Sequence, residues 1–260
     1  MIETVRRCAA GLLDLLLPDV CAGCDGDYVA ADGLCEACNV SLLSLVSLPY
    51  CPRCGSTLGM GVGASEDGCR WCPNPLPRFA RVIRLGPYQP PLSEAIRQLK
   101  YRRRDALRRR MGLLLGQAVA ACDLQRPFDV VVPSPMHWRR RIGRGCDHAA
   151  ALASVVGKFL KTPLGRELVR VRHTPPQVHL PRSARIANVR GAFAVRDKAA
   201  VDGANVLLVD DVTTTGATAS EAARTLLAAG AATVVLAVVA KSEPPAAYAD
   251  NERQIIGRRS

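Results

Sequence analysis

Val206-Leu207-Leu208-Val209-Asp210-Asp211-Val212-Thr213-Thr214-Thr215-Gly216-Ala217-Thr218 reads as a strand, a loop and the first turn of a helix. An aliphatic run ends in two adjacent carboxylates. Threonines around a single glycine follow, and then an alanine-rich stretch. This order puts two acids and a cluster of backbone N–H groups at the carboxyl end of one strand. Open α/β sheets bind their ligands at that edge, and exposed N–H groups at a helix start suit a phosphate. A sugar phosphate satisfies both halves, with its hydroxyls on the acids and its phosphate in the loop. A merely structural strand with a capped helix needs only one Thr or Asp. That leaves the second acid and the other threonines unexplained.

The string resembles the 5-phosphoribosyl-1-pyrophosphate (PRPP) motif of type I phosphoribosyltransferases: two hydrophobic residues, two acids and a Thr-Thr-Gly-x-Thr ending. The Gly-Lys-Ser/Thr ending of a nucleotide P-loop is absent. The resemblance implies that Asp210 and Asp211 take the ribose 2- and 3-hydroxyls, directly or through metal-bound water. It implies that Val212, Thr213, Thr214, Thr215, Gly216, Ala217 and Thr218 form the PRPP loop around the 5-phosphate. Gly216 lets that loop approach its ligand closely.

At 260 residues the chain is long enough for one α/β domain and a small accessory module. Its formal net charge of +12 favours anionic ligands, phosphates or nucleic acid. Met1 to Leu17 contains Arg6-Arg7 and a short apolar run, but Asp14 interrupts the run and no small-residue cleavage site is clear. It reads as an amphipathic helix with Val5, Leu12, Leu13, Leu16 and Leu17 toward a core. No apolar stretch reaches the about 18 residues of a membrane span.

Eight of the eleven cysteines form four Cys-x-x-Cys pairs: Cys21/Cys24, Cys35/Cys38, Cys51/Cys54 and Cys69/Cys72. Thiolates so spaced on a tight turn grip one tetrahedral zinc together, and two such turns complete a site. Four turns make two sites. Redox pairs or disulfides are the alternative, and four pairs this close together fit them poorly. Sequential pairing joins Cys21, Cys24, Cys35 and Cys38, then Cys51, Cys54, Cys69 and Cys72; a cross-braced arrangement would interleave them. Closing the shorter loops costs less entropy and favours the first. Metal-bound thiolates imply a reducing, cytoplasmic location. Cys8, Cys122 and Cys146 read as small apolar residues.

The zinc module is expected to end in the stiff linker Pro73-Asn74-Pro75-Leu76-Pro77. Arg81 to Leu85 reads as a strand. Pro91 to Lys100 and Ala106 to Ala121 read as helices. A basic run (Arg97, Lys100, Arg102, Arg103, Arg104, Arg108, Arg109, Arg110) lies within and between these helices. It is either a solvated face or a phosphate-backbone patch for nucleic acid, with single-stranded DNA as the candidate partner. Only Tyr101 offers stacking there.

Phe128 to Val132 is an apolar strand of the parallel-sheet kind, ending at Pro133-Ser134-Pro135-Met136-His137. Arg139, Arg140, Arg141 and Arg144 follow in a Gly-punctuated loop. Asp147 is placed to cap a helix reaching Leu160. Leu164 to Val171 and Ala192 to Val195 read as short strands, with His173 to Val189 irregular between them. The motif strand Asn205 to Val209, its helix Ala217 to Ala229 ending at Gly230, and a strand from Thr233 to Val239 form one βαβ unit. A frayed tail is expected beyond Lys241.

Taken in order, the four knuckles, Leu99-Lys100-Tyr101, Pro133-x-Pro135-x-His137, Arg144-Gly145, Arg172-x-Thr174-x-x-Gln177, Arg185-x-x-Asn188 and the Asp-Asp loop resemble the ComF/GntX family of phosphoribosyltransferase-like proteins. Cys146-Asp147-His148 departs from the Phe-Asn-Gln usual there, and Ser134 replaces a common Val. The resemblance implies an α/β type I phosphoribosyltransferase fold, a parallel sheet flanked by helices, behind a zinc-ribbon module. The expected division is 1–77 for the N-terminal helix and ribbons, 78–241 for the transferase-like domain and 242–260 for the tail. It further implies PRPP as ligand, Mg²⁺ with it, and a link to competence and DNA-processing proteins. The loop after Val132 would face the pyrophosphate, with Ser134, His137, Arg139, Arg140, Arg141 and Arg144 as its candidates. Arg172, Gln177, Arg185 and Asn188 would line the acceptor side.

Overall fold

The computed structural model describes residues 20–26, 33–59, 67–99, 105–122, 126–136, 147–172, 174 and 182–243. The helix expected over Met1 to Leu17 lies outside them, as do Cys8, Cys146 and residues 100–104 of the basic run.

A four-stranded parallel sheet carries the fold. Its strands are β1 (Arg81–Pro87), β2 (Val130–Pro133), β5 (Asn205–Thr213) and β6 (Thr233–Lys241), in the spatial order β1-β6-β5-β2. β5 and β6 are central, and Val206 to Val209 and Val234 to Ala240 are buried. Burial on both faces is why these strands read as continuous apolar runs rather than alternating ones. β3 (Leu168–Arg170) and β4 (Phe193–Val195) make a separate antiparallel pair.

Helices cover both faces. On one face lie α2 (Leu92–Gln98), α3 (Asp105–Ala120) and α4 (His148–Leu160), whose Leu92, Ile96, Leu107, Met111, Leu115, Leu152 and Val156 pack on Ile83, Val131, Leu207 and Ala237. α3 and α4 touch closely: a Cβ on Gly112 would lie 2.6 Å from Val155, and one on Gly116 2.8 Å from Phe159. On the other face α6 (Ala217–Ala228) packs Ala219, Ala222, Ala223 and Leu226 against Val206, Leu208 and Leu236. Asp147 caps α4 as expected, accepting from the Ala150 N–H at 3.1 Å. Gly230 takes a φ of +110° after α6, where an L side chain is strained.

The connections set the position of the cleft. From β2 the chain crosses by α4 on the first face, and Leu164 then pairs in parallel with Val131 on the outer side of β2. From β5 it crosses by α6 on the opposite face to β6, in the other direction. The carboxyl ends of β2 and β5 are therefore a topological switch point, where a crevice opens between diverging loops.

The zinc-ribbon residues grip the other edge. Cys21, Ala22, Leu34, Cys38 and Leu42, the last two on α1 (Glu36–Val46), join the core on the α3 face. The Cys51/Cys54 knuckle reaches the edge strand itself, where the Val82 N–H donates to the Pro52 carbonyl at 2.7 Å.

Two expectations are corrected. Within the stretch read as irregular, Arg182–Val189 forms helix α5. Ile186 and Val189 lie about one turn apart in a segment otherwise of small and polar residues, and Pro181 stands just before its start. The reading of 242–260 as a frayed tail is corrected at its first two residues. The Ser242 N–H donates to the Thr213 carbonyl at 2.8 Å, and Glu243 is buried. The Glu243 Oε1 accepts from the Thr57 N–H (2.9 Å) and Oγ1 (2.6 Å), and lies 3.6 Å from Nη1 of the equally buried Arg84. Arg84 also donates to Thr57 Oγ1 at 2.7 Å and lies over the Tyr50 ring.

Candidate functional site

Asp210 and Asp211 lie where β5 passes the end of β2, and both are half-buried. Each uses one oxygen to hold the next amide: Asp210 Oδ1 accepts from the Asp211 N–H (2.9 Å), and Asp211 Oδ1 from the Val212 N–H (2.7 Å). Ser134, buried at the end of β2, hydrogen-bonds Asp210 across the switch point. Burial, and next to it the charge of Asp211, push the Asp210 carboxyl well above the usual carboxylate range. The Asp211 N–H and Ser134 oppose the shift and are overcome. Two carboxylates forced together in a crevice favour a cation or hydroxyl donors between or beside them.

The loop after Asp211 turns back at Gly216, whose φ of +77° suits glycine. Gly216 is also the N-cap of α6 and, lacking a side chain, supplies no cap of its own. Ala217 and Thr218, at the positive end of the helix dipole, line the cleft. Asp210 to Thr214 and Gly216 to Ala219 line a cleft of about 440 Å³ together with Arg185 and Ser242. Thr215 is not among the residues lining this cleft; its Oγ1 accepts from the Ala217 N–H at 3.4 Å. A smaller recess of about 120 Å³ adjoins it, where Ser134, Asp147, His148 and Arg170 meet the same two acids.

The acid pair, the loop and Ser134 are thus brought together. His137, Arg139, Arg140, Arg141, Arg144 and Gln177 lie outside the described residues. Arg185 reaches the site, its Nη1 donating to Thr214 Oγ1 at 3.2 Å. Arg172 is engaged elsewhere and donates to the carbonyls of Asn188 (2.9 Å) and Arg190 (2.6 Å), tying down the end of α5. Sequence reasoning gave no role at this site to Arg170, His148, Ser242 or Lys241. The one signal for Lys241 is a lysine closing a strand that is otherwise apolar after Thr233.

The cysteines form two tetrads, Cys21/Cys24/Cys35/Cys38 and Cys51/Cys54/Cys69/Cys72, with all ligand sulfurs of each within 4.8 Å of one another. Pairing is therefore sequential. Sulfur separations are 3.8 Å for Cys24–Cys35, 3.7 Å for Cys51–Cys72 and 3.6 Å for Cys54–Cys69. A tetrahedron with Zn–S bonds of about 2.3 Å has edges of about 3.8 Å, so the donor set fits zinc. Backbone amides feed the sulfurs: Cys35 N–H to Cys21 Sγ (3.2 Å), Gly23 N–H to Cys21 Sγ (3.4 Å) and Cys69 N–H to Cys72 Sγ (3.3 Å). Burial raises the Cys21 thiol, but the backbone bonds outweigh it and bring it down to about 6. Cys51 falls to about 4, chiefly through its bond with Cys54. Each tetrad thus holds a ready thiolate. Replacing Cys51 by Ser is expected to halve the bound zinc and lower the melting temperature, since ribbons have little core of their own. Metal analysis beside thermal melting checks this, and full zinc content in the variant would contradict the assignment.

The basic run is less free than its composition suggests. Arg97 pairs with Glu94, Arg108 with Asp105, and Arg110 donates to Asn39 Oδ1 on α1 at 2.6 Å. Among the described residues, no helix is long and apolar enough to cross a membrane.

Known proteins match in the same two parts. The double zinc ribbon domain family matches residues 12–77, and the phosphoribosyl transferase domain family matches residues 149–255. Competence protein F of Haemophilus influenzae is 30% identical over 199 residues, 74% of this chain and 83% of that protein. DNA utilization protein YhgH of Salmonella typhi is 33% identical over 204 residues, 76% of this chain and 86% of that protein. Among solved structures, the glutamine PRPP amidotransferase of B. subtilis, complexed with ADP and GMP, matches at a TM-score of 0.37 and 20% identity. That match covers 54% of this chain and spans 30% of the amidotransferase. With paired tetrads, a parallel sheet and an acid-pair loop in one order, and these relatives alongside, the chain belongs to the ComF family of double zinc ribbon and phosphoribosyltransferase-domain proteins.

Proposed function

We propose that the cleft binds PRPP and that the protein transfers its phosphoribosyl group. The observation that carries this reading is the juxtaposition of Asp210 and Asp211 with the start of α6 in one cleft. The acids accept the ribose hydroxyls. The amides and hydroxyls of Thr213 to Thr218 hold the 5-phosphate, and Arg185 adds a cation at the rim. The recess with Ser134, His148 and Arg170 takes the pyrophosphate side. Displacement at the ribose C1 carbon passes through an oxocarbenium-like state, which the nearby carboxylate charge stabilises. The raised Asp210 carboxyl marks a place where a cation relieves repulsion, so Asp210 and Asp211 are the residues to hold Mg²⁺. When bound, Mg²⁺ offsets the charge on the departing pyrophosphate.

The relatives named for competence and DNA utilization and the net charge of +12 favour a role in handling or using DNA beside this chemistry. Eight thiols committed to metal suit a reducing, cytoplasmic setting.

Titration calorimetry with PRPP and Mg²⁺ is expected to give saturable binding. A pyrophosphate-release assay over bases and amines is expected to find an acceptor. Binding without release under every acceptor would leave a PRPP sensor; neither binding nor release would remove the reading. A purely DNA-binding module would instead bind single strands with steep salt dependence and ignore PRPP.

A further inference from the structure

Lys241 ends β6 with only 6% of its surface exposed. Its Nζ donates to the carbonyl of Thr214 and to that of Ser242, each at 2.6 Å. Thr214 belongs to the loop assigned to the 5-phosphate. The stem of Lys241 runs along the Cys51/Cys54 knuckle of the second tetrad: a Cβ on Gly55, the residue after the ligand Cys54, would lie 3.6 Å from both its Cγ and Cδ. The residues that follow repeat the arrangement in both directions. Ser242 bonds back to Thr213, and Glu243 bonds forward to Thr57. The strand end 241–243 is thus held between the anion loop on one side and knuckle residues 55–57 on the other.

An ammonium is costly to bury unless it is fully hydrogen-bonded. Here its bonds fix a carbonyl that would repel an anion if it turned into the cleft. With the Thr214 carbonyl held by Lys241, the loop amides that follow are left to face the ligand. The first tetrad packs elsewhere: its residues Cys21 and Cys38 lie in the cluster on the α3 face, whereas Val82, beside Gly55, belongs to the cluster on the α6 face.

We propose that Lys241 is a positioning residue for the anion loop and couples it to the second zinc tetrad. The state of Cys51, Cys54, Cys69 and Cys72 then sets the affinity of the cleft for a ribose 5-phosphate group, and that of the first tetrad does not. The phosphate half of this statement rests on the reading of the cleft given above; the coupling between loop and knuckle does not.

Hydrogen–deuterium exchange of residues 213–218 in the ligand-free, zinc-loaded full chain tests the coupling. Calorimetry with ribose 5-phosphate tests its consequence. Lys241→Met keeps the stem and removes the donor. It is expected to retain both zincs, speed exchange in the loop at least tenfold and weaken ribose 5-phosphate at least tenfold. Cys69→Ser should reproduce the faster loop exchange, while Cys24→Ser loses one zinc and leaves the loop at the wild-type rate. Wild-type exchange in Lys241→Met, or equal acceleration by Cys24→Ser and Cys69→Ser, overturns the proposal. Should the Met variant not fold, the contrast between the two cysteine variants decides alone. If the exchange pattern holds but wild-type protein ignores ribose 5-phosphate, the coupling stands and the phosphate reading falls.

Discussion

Replacing Asp210 and Asp211 together by asparagine is expected to abolish PRPP binding and to raise the melting temperature near neutral pH. Hydrogen bonds to charged acceptors contribute about 1.5–3 kcal/mol each, so losing both carboxylates is expected to weaken binding by about 100-fold or more. The stability gain follows from the same geometry. The folded Asp210 carboxyl lies well above its ordinary 3.8 because burial and the Asp211 charge penalise its ionised form. The native state therefore holds a proton that the unfolded chain releases earlier. That contribution is fully present below about pH 3.8 and is lost as pH rises through the raised folded value. At pH 7, above the ordinary value, the wild-type site carries a penalty from that burial and charge, and Asp210→Asn lifts it. Melting curves of Asp210→Asn should show a gain of a few degrees at pH 7 that shrinks as pH falls toward 3.8. A variant that melts lower at pH 7, or that binds PRPP as tightly as wild type, contradicts this account of the site.

The second large effect concerns Arg84 and Glu243. Both side chains are 1% exposed, and Arg84 is pulled down to about 10 by burial, with Glu243 and Tyr50 resisting. Removing one partner of a buried ion pair leaves an uncompensated charge and costs about 3–5 kcal/mol. Glu243→Ala is therefore expected to be severely destabilising by denaturant unfolding, although it lies in a stretch that reads as a tail. Among the described residues, Arg84 Nε and Nη1 and Glu243 Oε2 have no hydrogen-bond partner, so the pair is imperfectly satisfied. Arg84→Met with Glu243→Leu should then recover most of the loss, since apolar replacement of a buried pair is often neutral or better. Equal destabilisation by the single and the double variant would contradict that reading.

These residues also mark where sequence reasoning stopped. The acid pair, its loop, the βαβ unit and the cysteine tetrads were legible because each is written in a short window, with a fixed spacing or a change of hydrophobic period. Asp147 was legible as a cap for the same reason. Glu243 was not: its partner Thr57 lies 186 positions away, and Glu-Pro-Pro looks like the start of a linker. Lys241 was hidden because its acceptors are backbone carbonyls, which carry no residue identity. α5 escaped because, of the two larger apolar residues of Arg182–Val189, only Val189 is deeply buried while Ile186 stays exposed, so the segment carries little hydrophobic period to read. Arg172 holds the end of α5, a role that its spacing does not announce.

The hydrogen bond from the Val82 amide to the Pro52 carbonyl has a bearing on aggregation. An outermost strand with open amides is a template on which other chains can add and grow into aggregates. Here the knuckle occupies that rim, so a chelator that empties the second tetrad strips a shield as well as a metal. Chelated protein would then be lost as precipitate while much of its sheet is still intact.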